Sequence, residues 1–90
     1  MSIKSNVAHA KSEIEELRRL NNIITDENGE EWLYCGAEGR VFHSGAEIEM
    51  AESGTLFFEG CNQNGEYFID SFEEAIQWVR ENYGIMGEAE

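Results

Sequence analysis

The hydrophobic periodicity of the chain changes twice along its length, and this succession restricts the fold more than any other feature. Near the N-terminus, apolar residues recur every three or four positions from Val7 to Leu20, which predicts an amphipathic helix over residues 6–21. The middle has short apolar runs between glycine-containing turns, and residues 72–83 return to helical spacing. We therefore expect an α+β domain with an N-terminal helix, an antiparallel sheet and a C-terminal helix, with both helices on one sheet face.

The expected sheet has about five short strands joined by Asn-Gly hairpins. Asn28-Gly29 is the strongest hairpin signal, because both positions of the tight turn require a positive φ. A two-residue loop there would pair Thr25 with Trp32. Residues 46–50 alternate between apolar and acidic side chains, which predicts a half-buried strand. Six short runs are candidates for these strands, at residues 23–25, 32–34, 40–43, 46–50, 55–59 and 67–69.

The ends of the two helices carry their own signals. Asn21-Asn22 can end the first helix in a left-handed conformation. Ser71 followed by Glu74 three residues later is a capping box for the second helix, and Gly84 ends it. We expect residues 1–84 to form a single α+β domain and residues 85–90 to form an acidic C-terminal tail.

Charge excludes several classes of partner. The chain has 19 Asp and Glu residues against 6 Lys and Arg residues, a formal net charge of -13, and residues 20–90 contain only Arg40 and Arg80 as cations. Binding to nucleic acid or to an anionic membrane requires Lys and Arg, so neither is expected. A basic protein partner is favoured instead. Without an apolar run long enough for a membrane span or a signal peptide, we expect a cytoplasmic protein.

Eight carboxylates form the predicted partner-binding surface. Four surround the first hairpin tip, where like charges would face each other across the strands at a cost in stability. The others would extend the acidic row over one sheet face. Two interpretations stay open: an ordinary solvated face that protects a sheet edge, or a surface for recognition of a partner. The predicted residues are Asp26, Glu27, Glu30, Glu31, Glu47, Glu49, Glu52 and Glu59.

In size, charge and charge placement, the chain resembles the small acidic DNA-mimic inhibitors, which include phage anti-restriction proteins and some anti-CRISPR proteins. The residues that carry the resemblance are the carboxylates from Asp26 to Glu90, with no Lys among them. The resemblance implies a non-catalytic inhibitor in a bacterial cytoplasm. It would occlude the basic nucleic-acid-binding surface of a defence nuclease or CRISPR effector. These inhibitors share no single fold, so the resemblance makes no prediction of topology.

Three alternatives remain from the sequence. The protein could be an immunity protein or antitoxin that neutralises a basic toxin, or a small phage or bacterial accessory domain. An enzyme would need a pocket that joins Cys35 to His43. No spacing typical of a metal site connects His9, His43, Cys35 and Cys61, so no metal or other cofactor is expected and both thiols are expected to be reduced.

Overall fold

The computed structural model describes residues 3–54 and 69–87, and within them it confirms the α+β class. Of the strands expected over residues 55–59 and 67–69, only Ile69 lies among the described residues. No helix in the described part of the chain has the length and apolarity to cross a membrane. The elements are α1 (Ile3–Arg19), β1 (Ile23–Thr25), β2 (Glu31–Cys35), β3 (Arg40–His43), α2 (Ser44–Ser53) and α3 (Phe72–Asn82).

Helix α1 begins three residues earlier than predicted and ends two residues earlier, at Arg19, with the predicted left-handed residue after it. Asn21 has φ 65°, in the left-handed region. The amide of Asn22 donates to the carbonyl oxygen of Leu17 at 3.0 Å, and the amide of Asn21 donates to that of Arg18 at 3.0 Å. This pair of bonds is a Schellman motif, which satisfies carbonyl groups at the helix end and turns the chain into β1.

The first hairpin is confirmed, but its register differs from the prediction by one residue. Thr25 pairs with Glu31, whereas a two-residue loop would have placed Thr25 opposite Trp32. The loop has three residues: the amide of Gly29 donates to the carbonyl oxygen of Asp26 at 2.9 Å, and Gly29 has φ 82°. This geometry is that of a type I turn followed by a glycine bulge.

Residues 46–50 are helical, so the predicted strand there is wrong. They belong to α2, and the described sheet has three antiparallel strands in the order β1-β2-β3. The alternating segment contains Ala, Glu, Ile and Met, and all of these except Ile are strong helix formers. An alternation of only five residues is a weak strand signal beside that preference.

The ends and the buried side of α2 explain why the helix forms. The side chain of His43 caps it, since the Nδ1 atom accepts a hydrogen bond from the amide of Ala46 at 3.0 Å. Gly54 ends it with φ 79°. Ile48 and Ala51, three positions apart, face the protein interior, as the spacing of one helix face requires.

The helices cover both faces of the sheet, so the prediction that they share one face is wrong. Alternation along β2 sends Trp32 and Tyr34 to the face covered by α3, and Leu33 and Cys35 to the face covered by α1 and α2. A strand buried on both faces has a continuous apolar sequence, and residues 32–35 have one. One core contains Ile24, Trp32, Tyr34, Val41, Ile69, Ala75 and Val79, and the other contains Ile14, Leu17, Leu33, Cys35 and Phe42.

Helix α3 has the predicted capping box. The hydroxyl of Ser71 accepts from the amide of Glu74 at 3.1 Å, and the Glu74 carboxylate accepts from the amide of Asp70 at 2.7 Å. Gly84 follows the helix with φ 84°, and its amide donates to the carbonyl oxygen of Arg80 at 3.1 Å. The sequence predicts the next residue, Ile85, to belong to the tail, but it packs against the core beneath α3.

Candidate acidic interaction surface

The eight predicted carboxylates occupy three kinds of environment. Asp26 is buried, and Glu31 and Glu47 are partly buried in ion pairs with arginines. Glu59 lies outside the described residues. The carboxylates that remain exposed are Glu27, Glu30, Glu49 and Glu52.

Asp26 is only 2% exposed, so its prediction as a surface residue is wrong. Its Oδ1 atom accepts from the amides of Asn28 at 2.9 Å and Glu30 at 3.0 Å, and its Oδ2 atom accepts from the indole Nε1 of Trp32 at 2.8 Å. Burial raises the pKa of Asp26, but these hydrogen bonds outweigh it and hold the pKa below its ordinary value. Asp26 is therefore a structural residue that organises the hairpin tip.

Glu27 and Glu30 form the exposed acidic part of the tip. The Glu27 side chain lies against Gly84, where a Cβ would be only 2.6 Å from its Oε1 atom. The Oε1 atom of Glu30 is 2.5 Å from the Nε2 atom of His43. Because Nδ1 of His43 accepts from Ala46, the neutral ring carries its proton on Nε2 and donates it to Glu30.

Glu31 links the sheet to the basic helix α1. Both oxygens of the Glu31 carboxylate accept from Arg18, at 2.8 and 2.9 Å. The bonds from this guanidinium lower the pKa of Glu31. Arg18 thus already compensates the negative charge of Glu31 within the fold, which weakens the attraction of Glu31 for a cation of a partner.

Arg40 is buried among three carboxylates, and only 5% of its surface is exposed. It donates to Glu47 at 2.8 Å and to Glu38 at 2.9 Å, and lies 3.7 Å from Glu13. The guanidinium also lies over the ring of Phe42, 4.4 Å from the centroid. Burial disfavours the charged form, but the bonds to Glu47 and Glu38 outweigh that effect and raise the pKa of Arg40.

Glu47 and Glu49 do not project from one face, contrary to the prediction. Two residues apart on a helix, they point in nearly opposite directions: Glu47 faces Arg40, and Glu49 is exposed. Glu49 and Glu52, three residues apart, share the solvent side of α2. They form a small acidic patch separate from the Arg40 cluster.

Cys35 lies beside that cluster with a free, buried thiol. Its Sγ atom and oxygens of Glu13 and Glu38 lie within 4.8 Å of one another, but the guanidinium of Arg40 already supplies positive charge to both glutamates. Burial and repulsion from Glu38 raise the pKa of Glu13, and burial raises that of Cys35. These side chains form a structural ion-pair cluster.

The structure does not bring Cys35 and His43 together. Cys35 pairs with Arg40 and Trp32 pairs with His43, so the two residues lie three positions apart on the ladder, about 10 Å by strand rise. Cys35 belongs to the core under α1 and α2, while the His43 ring contacts Trp32 at 5.3 Å. A high thiol pKa also disfavours the thiolate needed for nucleophilic attack.

A groove of about 350 Å³ lies between α1 and the start of α2. Ile14 and Ile48 contribute apolar surface, and Lys11 and Arg18 contribute positive charge. Glu15 also lines the groove, and Arg18 is paired with Glu31. The local charges therefore largely cancel, which sets this region apart from the acidic remainder of the protein.

Sequence reasoning missed two residues of the surface near the hairpin tip. Tyr83 is 39% exposed and Met86 is 53% exposed. Residues 84–86 run beside β1: the amide of Glu27 donates to the carbonyl oxygen of Gly84, and that of Met86 donates to Thr25, each at 3.2 Å. The only sequence signal was a pair of apolar residues, Ile85 and Met86, in a segment otherwise typical of a tail.

Comparison of the chain with models of protein families, with curated proteins and with solved structures finds no match.

Proposed function

We propose that the protein is a non-catalytic inhibitor that occludes the basic nucleic-acid-binding surface of a defence nuclease or CRISPR effector. The burial of Arg40 supports this most directly. Of the two cations after residue 19, Arg40 is enclosed by the fold and only Arg80 is exposed. The exposed carboxylates of the described part beyond α1 are Glu27, Glu30, Glu38, Glu49, Glu52, Asp70, Glu73 and Glu81.

A surface with so few cations produces a strong negative field. Such a field speeds association with a basic groove and weakens as salt is added. Lys and Arg side chains that normally bind phosphates would accept carboxylates in their place. The inhibitor acts by occupying the groove, so one molecule blocks one target site without any reaction.

Burial and internal ion pairs leave fewer of the predicted carboxylates available to a target. Asp26 is not proposed to contact the target because it is buried. Glu31 and Glu47 are less available to the target because arginines within the fold bind their carboxylates. Glu27 and Glu30 at the hairpin tip and Glu49 and Glu52 on α2 remain exposed. We propose that these four carboxylates are engaged by the Lys and Arg residues of the target.

Affinity capture with defined variants tests this function. The protein is immobilised, exposed to a bacterial lysate at low salt, and eluted with a salt gradient or with short duplex DNA. We expect DNA- or RNA-handling enzymes to be retained, to be released by either eluent, and to lose nuclease activity when the inhibitor is added back. A retained enzyme that DNA cannot displace, or that stays fully active, contradicts the mechanism.

Two charge variants on different surfaces test the role of the four carboxylates. Glu27→Gln, Glu30→Gln, Glu49→Gln and Glu52→Gln together should slow association with the captured enzyme at least about tenfold at low salt. Glu15→Gln with Glu16→Gln, both on α1, should slow it about twofold or less. Equal association rates for the fourfold variant and the unmodified protein would show that the proposed surface is wrong. If no nucleic-acid-handling enzyme is retained at all, the inhibitor function is wrong.

A further inference from the structure

One imidazole joins the hairpin tip to the start of α2. The Nδ1 atom of His43 accepts from the amide of Ala46 at 3.0 Å, and the Nε2 atom lies 2.5 Å from a carboxylate oxygen of Glu30. The amide of Ala46 belongs to the first turn of α2, where backbone donors have no partner within the helix. The two ring nitrogens thus connect two separate elements through one side chain, which is 22% exposed.

The two hydrogen bonds make opposite demands on the ring. Nδ1 accepts a hydrogen bond only while it carries no proton, so the cap of α2 requires the neutral imidazole. Nε2 donates to Glu30 in either form, and this bond becomes an ion pair when the ring is protonated. A protonated ring has an N–H at both nitrogens, and its Nδ1–H then faces the N–H of Ala46 with no acceptor between them. Protonation therefore strengthens the contact with the tip and removes the cap.

Three carboxylates near the tip favour the protonated ring. Glu30 binds the ring directly, and Asp26 and Glu31 lie close enough for the charge of the ring to act on them. Arg18 of α1 offsets part of this effect, because its guanidinium binds Glu31. Negative groups near an imidazole stabilise its cationic form, so the tip favours proton uptake by His43.

The start of α2 favours the neutral ring. The positive end of the helix dipole lies there and disfavours a second positive charge. Glu47, the acidic residue in the first turn, offsets little of this effect because Arg40 binds its carboxylate at 2.8 Å. On the α3 side, the ring contacts the uncharged indole of Trp32, with 5.3 Å between the centroids. The balance between the tip and the helix therefore sets the pH at which His43 takes up a proton.

The first turn of α2 is packed less deeply than the rest of the helix. Ser44 and Ala46 are partly buried and Gly45 is exposed. The apolar contacts of α2 with the core are made further along, through Ile48 and Ala51. Loss of the cap should therefore loosen the first turn without releasing the whole helix. Because Ser44 and Gly45 also line the groove against α1, this loosening changes one wall of the groove.

We propose that His43 is a pH-sensitive latch: protonation of its imidazole keeps the bond to Glu30 and releases the first turn of α2. This inference goes beyond the proposed function and does not depend on it. Histidine is the side chain that ordinarily gains or loses its proton between pH 5 and 8. The latch therefore opens on mild acidification and closes again when the pH returns to neutral.

An NMR titration of the full chain from pH 8 to pH 5 tests the inference. The ¹⁵N shifts of the imidazole report the protonation of His43. The exchange of the Ala46 amide with water, corrected for the intrinsic effect of pH, reports the cap. We expect the ring to take up a proton in this range and the protection of Ala46 to fall about fivefold with the same midpoint. A ring that stays neutral down to pH 5, or one that is protonated without loss of protection at Ala46, overturns the inference.

His43→Asn separates the latch from other effects of acid. Asparagine is a good N-cap residue and does not titrate, so the protection of Ala46 should stay constant from pH 8 to pH 5 in this variant. His9, the other histidine, is exposed on α1 and still titrates, which controls for acid effects elsewhere in the chain. The same loss of protection in His43→Asn as in the unmodified protein would overturn the inference.

Two charge variants test the part that the tip plays. Glu30→Gln keeps an acceptor for Nε2–H but removes the negative charge, so a lower pH should be needed to release Ala46. Glu27→Gln is the control, because it removes a neighbouring tip carboxylate whose side chain lies against Gly84. It should move the transition much less than Glu30→Gln does. Equal transitions in the two variants would overturn the coupling between the tip and α2.

Discussion

The indole of Trp32 donates to the carboxylate of Asp26 at 2.8 Å; both side chains are buried, and Trp32 packs against α3. The other carboxylate oxygen accepts from two amides of the turn. One side chain thus satisfies three donors and selects the three-residue loop over the two-residue loop. A change at Asp26 should therefore affect the stability of the fold more directly than the binding of a partner.

Asp26→Asn should lower the free energy of unfolding by about 2 kcal/mol. The amide NH₂ cannot accept from the Trp32 indole, so a buried donor or acceptor loses its partner. Urea denaturation followed by Trp fluorescence measures the effect. Glu27→Gln is the control at an exposed neighbouring position and should change stability by less than about 0.5 kcal/mol. A loss of the same size in both variants would contradict the role assigned to Asp26.

Stability should fall on acidification through the titration of Asp26. Its folded-state pKa is lowered, so the unfolded state takes up the proton first. The stabilisation is present above about pH 4, the unfolded pKa, and is lost as the pH falls towards the lower folded pKa. Urea unfolding at pH values from about 7 to 2.5 should show this slope reduced in Asp26→Asn, and equal slopes would contradict it.

Arg40→Met should destabilise the fold by about 3 kcal/mol or more at neutral pH, because Glu13, Glu38 and Glu47 lose their common cation. Without Arg40, burial and repulsion from Glu38 and Glu47 should raise the pKa of Glu13 further in the folded variant. Proton uptake by Glu13 then favours the folded state at low pH, and the variant should lose further stability as the pH rises through that pKa. Chemical denaturation at pH 5 and pH 8 measures both effects.

The exposed Arg80 provides the control for this change. Arg80→Met removes the same charge from the surface of α3 and should cost less than about 1 kcal/mol. A comparable loss of unfolding free energy in both variants would mean that the destabilisation comes from the change in net charge and not from the buried cluster.

His43→Ala should destabilise α2 by about 1 kcal/mol, because the amide of Ala46 loses its capping acceptor. His43→Asn should recover most of the loss, since asparagine is a good N-cap residue. Thermal unfolding measures both variants, and ¹⁵N chemical shifts of the unmodified protein should show the Nε2–H tautomer. An Nδ1–H tautomer in the neutral form would contradict the observed cap.

Gly84→Ala should destabilise the protein by about 1 kcal/mol or slightly more. A φ of 84° is unfavourable for alanine, and the new Cβ would displace the Glu27 side chain. Combining it with Glu27→Ala in a double-mutant cycle isolates the contact from the backbone strain. Gly87 also has a positive φ, but a Cβ there meets nothing within 4 Å, so Gly87→Ala should show no coupling to Glu27.

Local signals predicted both terminal helices because their ends depend on nearby residues. The Schellman end at Asn21 and the capping box at Ser71 require only residues a few positions apart. The hairpin was also predictable from Asn28-Gly29. Its register was not, because it depends on the donors that the Asp26 carboxylate binds, and one of these, the Trp32 indole, lies on the opposite strand.

Longer-range features were harder to predict. The alternation around Ile48 is typical of a strand. The same residues also form an apolar helix face, and that face is buried only because α2 packs against α1. Burial of β2 on both faces could have been anticipated from the unbroken apolar run that includes Leu33. The position of Met86 beside the hairpin turn could not have been anticipated, since it depends on residues 84–86 returning to pair with β1.

The pairing of residues 84–86 with β1 also determines where the chain leaves the described fold. Gly87 follows Met86 directly, so an affinity tag or fusion protein joined at Gly87 would begin next to the side chain that covers Gly29. A tag there would crowd the surface that we expect a partner to cover, and a cationic tag would bind the tip carboxylates of its own chain. Immobilisation through the start of α1 keeps the hairpin tip accessible, and the choice of attachment end is therefore itself a variable in any binding assay.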